Sequence, residues 1–203
     1  LICIIALAPA FAIAYAFHEQ LIGRLMDLVP EGTPIVTLGV TEPFTTSLKV
    51  SFYAAIAIVL PILLWQLWAF LAPAVSDDTQ RVLGVFVVLA TFLFVTGVLF
   101  CYAIVLPKAL SFLVDYDSEL YTEQIRASYF LSFVTLTLLA FGIAFEMPIF
   151  ILGLVRLGVL TADRLRKNRR IGYVGMLAFA ILLPTVDPVS LVLETVPLLV
   201  LFE

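Results

Sequence analysis

The stretch VSFYAAIAIVLPILLWQLWAFLAPAVS (residues 50–76) decides the fold, because it contains no charged side chain. A helix rises 1.5 Å per residue, so this stretch exceeds the roughly 20 residues that cross a hydrocarbon core of about 30 Å. Lipid offers no hydrogen bonds to the backbone, and a helix satisfies its own polar groups internally. The sequence therefore predicts a transmembrane helix at this position.

The composition of the whole chain leads to the same class of protein. Of the 203 residues, 63% are hydrophobic and 13% are charged, whereas soluble proteins average about 45–50% apolar and about 25% charged residues. A soluble fold of this length cannot bury so much apolar surface in one core. The formal net charge of −4 also disfavours nucleic acid as a partner. We therefore expect an integral membrane protein.

Charged residues and prolines divide the chain into six predicted transmembrane helices within a single all-α membrane domain. The last two are short, because Pro184, Asp187 and Pro188 interrupt the apolar run and leave stretches of about 20 and 22 Å. We favour two short spans over one re-entrant hairpin, since lipid thinning absorbs the mismatch. Because Leu1 already lies in an apolar run, we expect the first span to lack its natural beginning. The predicted spans are residues 1–17, 50–76, 82–107, 127–155, 169–184 and 188–203.

The distribution of basic residues predicts the orientation of these helices. More than half of the 11 lysines and arginines lie within residues 156–170, and basic loops of this kind face the cytoplasm. Both termini are then cytoplasmic as well. Residues 30–43 fall outside and are rich in turn and β-branched residues, which predicts an ordered extended cap. The predicted inner loops are residues 77–81 and 156–168, and the outer loops are residues 18–49, 108–126 and 185–187.

One acidic residue interrupts the fourth span, where an ionisable side chain costs about 2.5 kcal/mol or more. Glu146 shares a helix face with residues that are small or polar apart from Leu139, so it faces protein or water rather than lipid. Glu146 is either a structural acid or part of a functional site, and Gln66 is a candidate neutral partner. The shared face consists of Ser128, Ser132, Thr135, Leu139, Gly142 and Glu146.

Two further acids lie near or within the last span. Asp187 directly precedes Pro188, and this arrangement predicts an Asp that caps the first free N–H groups of the helix. A second role for Asp187 is not excluded by that assignment. Glu194 lies in the middle of the span, where it either pairs with a partner subunit or is reached by water in a short helix.

Residue patterns for catalysis and for metal binding are absent from the sequence. No nucleophile–base pair, Gly-rich phosphate loop or metal-ligand spacing occurs, and His18 is the single histidine. Cys3 and Cys101 both lie in apolar runs, where a thiol behaves as a small apolar side chain. The sequence therefore predicts neither an enzyme nor a cofactor.

Four segments of the chain resemble TatC, the multispanning subunit of the twin-arginine protein translocase. The resemblance covers essentially the whole chain, and it is most specific around Glu146. That family has six spans with short fifth and sixth helices and a concave, glove-like shape, which agrees with the span count from charge. The segments are WQLWAFLAPAV (residues 65–75), YFLSFVTLTLLAFGIAFEMPI (residues 129–149), TEPF with a later Lys (residues 41–44 and Lys49) and GVLTADRLRKNRR (residues 158–170).

The resemblance implies a receptor in the bacterial inner membrane. TatC proteins bind the twin-arginine signal peptides of folded cargo at the cytoplasmic face, and they act with TatA, TatB and other TatC copies. The proton-motive force drives the transport. Carboxylates suit this recognition, because they hold guanidinium groups in forked, charge-assisted hydrogen bonds.

The resemblance also implies two sets of site residues. The acids that the family has in span four and between spans five and six correspond to Glu146 and Asp187, which form a polar contact for a partner helix. Where the family often has a Gln near that contact, this chain has Leu191. We expect Glu194, one turn further on, to take over the polar contact of that Gln. The predicted signal-peptide site consists of Gln66, Phe70, Asp77, Asp78 and Thr79.

The signal-peptide site departs from the family pattern at two positions. One family glutamate belongs to a motif upstream of the first span, which precedes this sequence. The other corresponds to Thr79, and we expect Asp78, with Asp77, to supply the missing charge; solvated loop acids are the alternative.

Two other functions compete with the receptor. In a solute transporter or channel, Glu146 and Asp187 would line a path through the membrane, but such proteins usually carry an internal repeat, and none is visible in the sequence. An assembly or anchoring subunit without cargo recognition is the second alternative.

Overall fold

The computed structural model describes residues 2–30, 33–71, 78–116, 124–156, 158, 160–161, 167–181 and 187–202, with the side chains of residues 2, 68–71 and 78–83 outside that description. Nearly all of the described chain is helical, which confirms the predicted all-α class. The elements are α1 (Ile2–Ala16), α2 (His18–Met26), β1 (Ile35–Val36), α3 (Glu42–Leu71), α4 (Asp78–Phe100), a π-helical segment (Cys101–Val105), α5 (Leu106–Asp115), β2 (Ile125–Arg126), α6 (Ala127–Phe145), α7 (Met147–Arg156), α8 (Arg169–Ile181) and α9 (Pro188–Phe202).

Three helical stretches of the described chain are long and apolar enough to cross a membrane: Glu42–Leu67, Gly84–Asp115 and Ala127–Arg156. A fourth crossing results if the pair formed by α1 and α2, which is bent by 64°, counts as one span. Helix α9 is apolar but shorter, as the prolines around Asp187 predict. The multispanning membrane class is therefore confirmed, whereas the number of six spans stays a prediction.

Several helices extend further than the charged residues suggest. Helix α3 begins at Glu42 rather than at residue 50, α2 lies within the predicted outer loop 18–49, and α5 continues to Asp115 within the predicted loop 108–126. A charged residue ends the apolar segment without ending the helix, so helix ends do not test the predicted span and loop boundaries, which stay predictions. At the polar edge of a membrane, the backbone continues its hydrogen-bond ladder among charged side chains.

A π-helical turn joins α4 to α5. The Leu106 N–H donates to the carbonyl of Cys101, five residues earlier, instead of the usual four. Pro107 follows directly and has no N–H to donate, so the widened turn carries the chain past the proline without ending the helix. Cys101, Val105 and Leu106 are fully buried here in the main hydrophobic core.

Close helix packing in the bundle depends on small side chains. Helices α1 and α3 pack through Ala10, Ala14 and Ala55. At the crossing of α4 and α6, a Cβ on Gly97 would lie 2.8 Å from the carbonyl oxygen of Phe141. No side chain fits at that distance, so glycine permits the approach.

A parallel pair of two-residue strands marks one end of the bundle, which we call the strand end. Ile35 pairs with Ile125, and Val36 pairs with Arg126. The predicted cap over residues 30–43 therefore contains an ordered extended piece. Helices α3 and α6 begin beside these strands, so α3 and the α6–α7 pair finish at the opposite, far end, as the helical rise requires.

Candidate functional site

The three acids that were predicted at membrane depth are all buried within the fold. The exposed fractions of Glu146, Asp187 and Glu194 are 8%, 3% and 1%. Charged residues are seldom buried this completely unless they are paired with another group. Their hydrogen bonds differ, however, and the differences separate their roles.

Glu146 lies at the break between α6 and α7. Pro148 cannot donate a backbone N–H, and the helix is interrupted where Glu146 adopts a turn. Neither carboxyl oxygen of Glu146 has a hydrogen-bond partner within the described residues. A buried polar group without a partner costs about 1–3 kcal/mol, so this carboxyl calls for an explanation beyond packing.

The polar face of α6 points into protein, as the spacing of its residues predicts. Thr135 is 8% exposed, and a Cβ on Gly142 would overlap the ring of Phe94 on α4. The prediction that Glu146 faces protein or water is confirmed by its burial.

Gln66 does not serve as the neutral partner that was considered for Glu146. Its Oε1 atom instead accepts a hydrogen bond from the Cys3 thiol, with 3.4 Å between Sγ and Oε1. Gln66 lies near the end of α3 and is part-buried against α1. This contact brings the beginning of α1 to the far end of the bundle.

Asp187 caps helix α9, as its position before Pro188 predicts. Its Oδ1 atom accepts a hydrogen bond of 2.7 Å from the Ser190 N–H, and its carbonyl accepts the Leu191 N–H. The second carboxyl oxygen, Oδ2, is buried and has no partner within the described chain. Asp187 thus combines a structural cap with one unused acceptor.

Glu194 faces the interior of its own chain. Helix α9 packs against α5, α6 and the π-helical segment, and the Glu194 carboxylate acts electrostatically on the buried thiol of Cys101. The expected contact of Glu194 with a partner helix stays a prediction. Because Glu194 is only 1% exposed, that contact requires α9 to move or the partner to insert beside it.

The predicted signal-peptide residues gather around the connection between α3 and α4. Phe70 belongs to the last turn of α3, and Asp78 and Thr79 to the first turn of α4; their side chains lie outside the description, as does Asp77 altogether. The end of α3 lies at the far end, because Gln66 stands 24 residues beyond Glu42, about 36 Å along the helix axis.

A fourth buried acid, Glu42, was not predicted as a site residue. Its Oε1 atom accepts the Arg126 Nε–H at 2.9 Å and the Ser128 N–H at 3.3 Å. Its Oε2 atom accepts the N–H groups of Leu38 and Gly39, at 2.9 and 3.2 Å. Sequence reasoning missed this network because Arg126 lies 84 positions away, and no local signal links the two.

The Glu42 network lies at the strand end, before the uncharged stretch of α3. The hydrogen bond from Arg126 holds the pKa of the Glu42 carboxyl well below its usual range, and the hydrogen bond from Ser128 acts in the same direction. Arg126 also stacks over the ring of Tyr129, 5.1 Å from its centroid. Glu42 is therefore a charged, fully bonded acid that ties the loop after β1 to α3, β2 and α6.

Comparison with known proteins connects these features to one family. Curated proteins named "Sec-independent protein translocase protein TatC" from Escherichia coli strain K12 and from Aquifex aeolicus are 32% and 35% identical to this chain. The alignments cover 99% and 100% of this chain and 80% and 86% of those proteins. A relative of the same name from Deinococcus radiodurans is 32% identical, over all of this chain and 78% of its own length.

Solved structures agree with the sequence comparison. A crystal structure described as that of the twin-arginine translocase receptor TatC in DDM superposes with a TM-score of 0.85 at 32% identity, covering 99% of this chain and 91% of the other. The family described as "Sec-independent protein translocase protein (TatC)" matches residues 1–197. The apolar helices and the bacterial relatives of this chain indicate that it is a component of a protein translocase in a bacterial membrane. The chain therefore belongs to the TatC family.

Proposed function

We propose that this chain is the core receptor subunit of a twin-arginine translocase. It binds the signal peptides of folded proteins, and it supports their export together with TatA and TatB family subunits and other TatC copies, driven by the proton-motive force. The observation that supports the proposal is that α3 ends at Leu71, at the far end of the bundle, and that α4 begins at Asp78, so the two predicted binding acids, Asp77 and Asp78, belong to this part of the sequence.

The charge distribution supports a cytoplasmic far end. Helix α7 ends at Arg156 and α8 begins at Arg169, so the basic segment connects to the bundle at this end. Basic loops stay in the cytoplasm. The contact between Cys3 and Gln66 supports an N-terminus on the same side. The proposed signal-peptide site then faces the compartment in which cargo folds.

The chemistry of the far end suits a peptide with two arginines followed by an apolar stretch. Asp77 and Asp78 supply carboxylates for the guanidinium groups, and Thr79 and Gln66 add neutral hydrogen-bonding groups. The exposed side chains of Trp65 and Leu67 on α3 offer apolar surface to the rest of the signal, and Phe70, the other predicted site residue of α3, follows them in the sequence.

Site-specific photo-crosslinking tests this assignment. A twin-arginine peptide should crosslink to a probe at position 66 and not to a probe at position 45, at the strand end. Replacing Asp77 and Asp78 by Asn should reduce the crosslinking about tenfold, since hydrogen bonds to charged groups contribute about 1.5–3 kcal/mol. The matched control is Asp115→Asn at the strand end, which should leave it unchanged. Crosslinking that survives the double replacement would refute the role of these acids.

A second part of the proposal concerns the buried acids. Glu146 and Asp187 retain unused carboxyl oxygens within the described chain, and such oxygens accept hydrogen bonds from a polar group on an inserted helix. We place the contact for a TatA or TatB helix at these two residues, with Glu194 as a further member.

Disulfide crosslinking between this chain and a cysteine-substituted TatA or TatB helix tests the contact. Glu146→Leu should weaken the crosslink severalfold, whereas Glu146→Gln should retain much of it because the amide still forms hydrogen bonds. Glu19→Leu on the exposed face of α2 is the control. An undiminished crosslink in Glu146→Leu would show that Glu146 is not part of the contact. The same result in Glu194→Leu would show that Glu194 is not part of it.

A further inference from the structure

A polar cleft opens at the strand end, between the first turns of α3 and α6. Its volume is about 450 Å³, which falls in the range of small-molecule sites. Hydroxyl and charged groups make up most of its lining. The lining residues that bear on its chemistry are Thr41, Glu42, Lys49, Arg126, Ser128 and Ser132.

The charge that the cleft leaves available is positive. Glu42 already accepts four hydrogen bonds, and Arg126 offsets its charge. Lys49 is exposed and forms no ion pair with any residue that the structure describes. Within those same residues, Arg126 donates to a side chain only through Nε, which leaves the donors of its two terminal amino groups for another acceptor. Although the whole chain has a net charge of −4, this cleft is locally positive and is therefore suited to an anion.

The position of the cleft relative to the apolar part of α3 indicates where that anion lies. Lys49 directly precedes the uncharged stretch of residues 50–76, so its ammonium group lies at the polar edge of the membrane. Tyr129 lines the cleft and is 71% exposed, and Phe44 in the first turn of α3 is 60% exposed. Aromatic side chains of this kind concentrate at the level of lipid headgroups.

We infer that this cleft binds a phosphate group, carried by an anionic phospholipid headgroup or present as free phosphate. Lys49 and the outer amino groups of Arg126 supply the charge, and the hydroxyls of Ser128 and Ser132 supply neutral donors. The site is separate from the far end and from Glu146, Asp187 and Glu194, and it does not depend on the proposed receptor function. A bound headgroup would fasten α3 and α6 where the strand pair already joins them.

Native mass spectrometry of the purified protein with added phosphatidylglycerol tests the lipid source. Lys49→Gln should lower the lipid-bound fraction about fivefold, because one basic residue near headgroups contributes about 1 kcal/mol. Lys49→Arg, which keeps the charge, should restore binding. Lys108→Gln removes an exposed lysine of α5 outside the cleft and should have no effect.

Inorganic phosphate added to lipid-free protein in detergent tests the other source. A saturable rise in melting temperature that Lys49→Gln abolishes would assign the cleft to free phosphate, whereas binding of phosphatidylglycerol without that response would assign it to lipid. If neither probe distinguishes Lys49→Gln from Lys108→Gln, the inference is wrong. Binding of phosphatidylcholine equal to that of phosphatidylglycerol would overturn it as well, because a net positive cleft must prefer the anion.

Discussion

Glu42 and Glu146 are both buried glutamates, with exposed fractions of 6% and 8%, yet their surroundings are opposite. Glu42 accepts four hydrogen bonds, one of them from Arg126. Both carboxyl oxygens of Glu146 lack a partner within the described chain. Burial alone therefore does not distinguish an acid that holds the fold together from one that forms no hydrogen bonds within it.

The difference between the two acids follows from where each lies. At the strand end, loop N–H groups and a cationic side chain converge on one carboxylate, and each would be unsatisfied without it. At the break between α6 and α7, no donor of the described residues reaches either carboxyl oxygen of Glu146. An acid in that second setting weakens the isolated fold, which is why we assign Glu146 to an external contact.

The largest expected effect is the loss of the Glu42 network. Glu42→Ala would leave Arg126 and three backbone N–H groups without their acceptor, and unsatisfied donors at a buried site are costly. We expect a fall in melting temperature at least twice that of any other substitution discussed here. Thermal unfolding of the detergent-solubilised protein measures it, with Glu19→Ala, an exposed acid on α2, as the control. Equal shifts in the two variants would mean that Glu42 does not hold the strand end together.

The same network predicts a dependence of stability on pH. Because hydrogen bonding to Arg126 lowers the pKa of Glu42 in the folded protein, the unfolded chain takes up its proton first as the pH falls. The stabilisation is complete above the unfolded pKa, near the usual value of 4.5, and it is lost as the pH falls through the folded value. The gap between the melting temperatures of the wild-type protein and Glu42→Gln should therefore begin to narrow below about pH 4.5 and continue to narrow as the pH falls further. A constant gap down to pH 3 would show that ionisation of Glu42 is not what stabilises the strand end.

Glu146 should respond in the opposite direction. Glu146→Leu replaces an unsatisfied carboxyl with an apolar side chain of similar size, so the free energy of unfolding should rise by about 1–3 kcal/mol. Denaturation of the isolated subunit measures this, and Glu146→Gln should give a smaller gain because its amide stays polar. A loss of stability as large as that of Glu42→Ala would show that Glu146 has a partner inside the subunit, and the contrast between the two acids would disappear.

The sequence was sufficient for the features that depend on local patterns. Uncharged runs predicted the long helices, because only lipid or a large core accepts them. The face of α6 predicted that Glu146 lies against protein, and the order of Asp187 and Pro188 predicted the cap of α9. Each of these follows from spacing within one helix.

The sequence was not sufficient for features that join distant residues. Arg126 reaches Glu42 across 84 positions, and Gln66 bonds to Cys3 across 63, so neither contact has a local signal. Charge counting marks the apolar segment and not the ends of the helix, since Lys49 and Glu42 are charged and still lie in α3. The burial of Glu194 depends on how α9 packs on α5, which spacing within α9 does not determine.

Asp187 is intermediate between Glu42 and Glu146, and it gives the smallest expected effect. One of its oxygens caps α9 through the Ser190 N–H, and the other has no partner among the residues described. Asp187→Ala removes the cap and should cost about 1 kcal/mol of unfolding free energy. Asp187→Asn keeps an acceptor for Ser190 and removes the charge, so it should unfold like the wild-type protein.

The two substitutions at Asp187 thereby separate its two roles. If partner-helix crosslinking falls in Asp187→Asn while stability is unchanged, the second oxygen acts outside the subunit, as we propose for Glu146. If stability falls equally in Asp187→Asn and Asp187→Ala, the negative charge itself stabilises the start of α9, as the helix dipole allows. Asp187 would then belong with Glu42 among the acids that serve the fold.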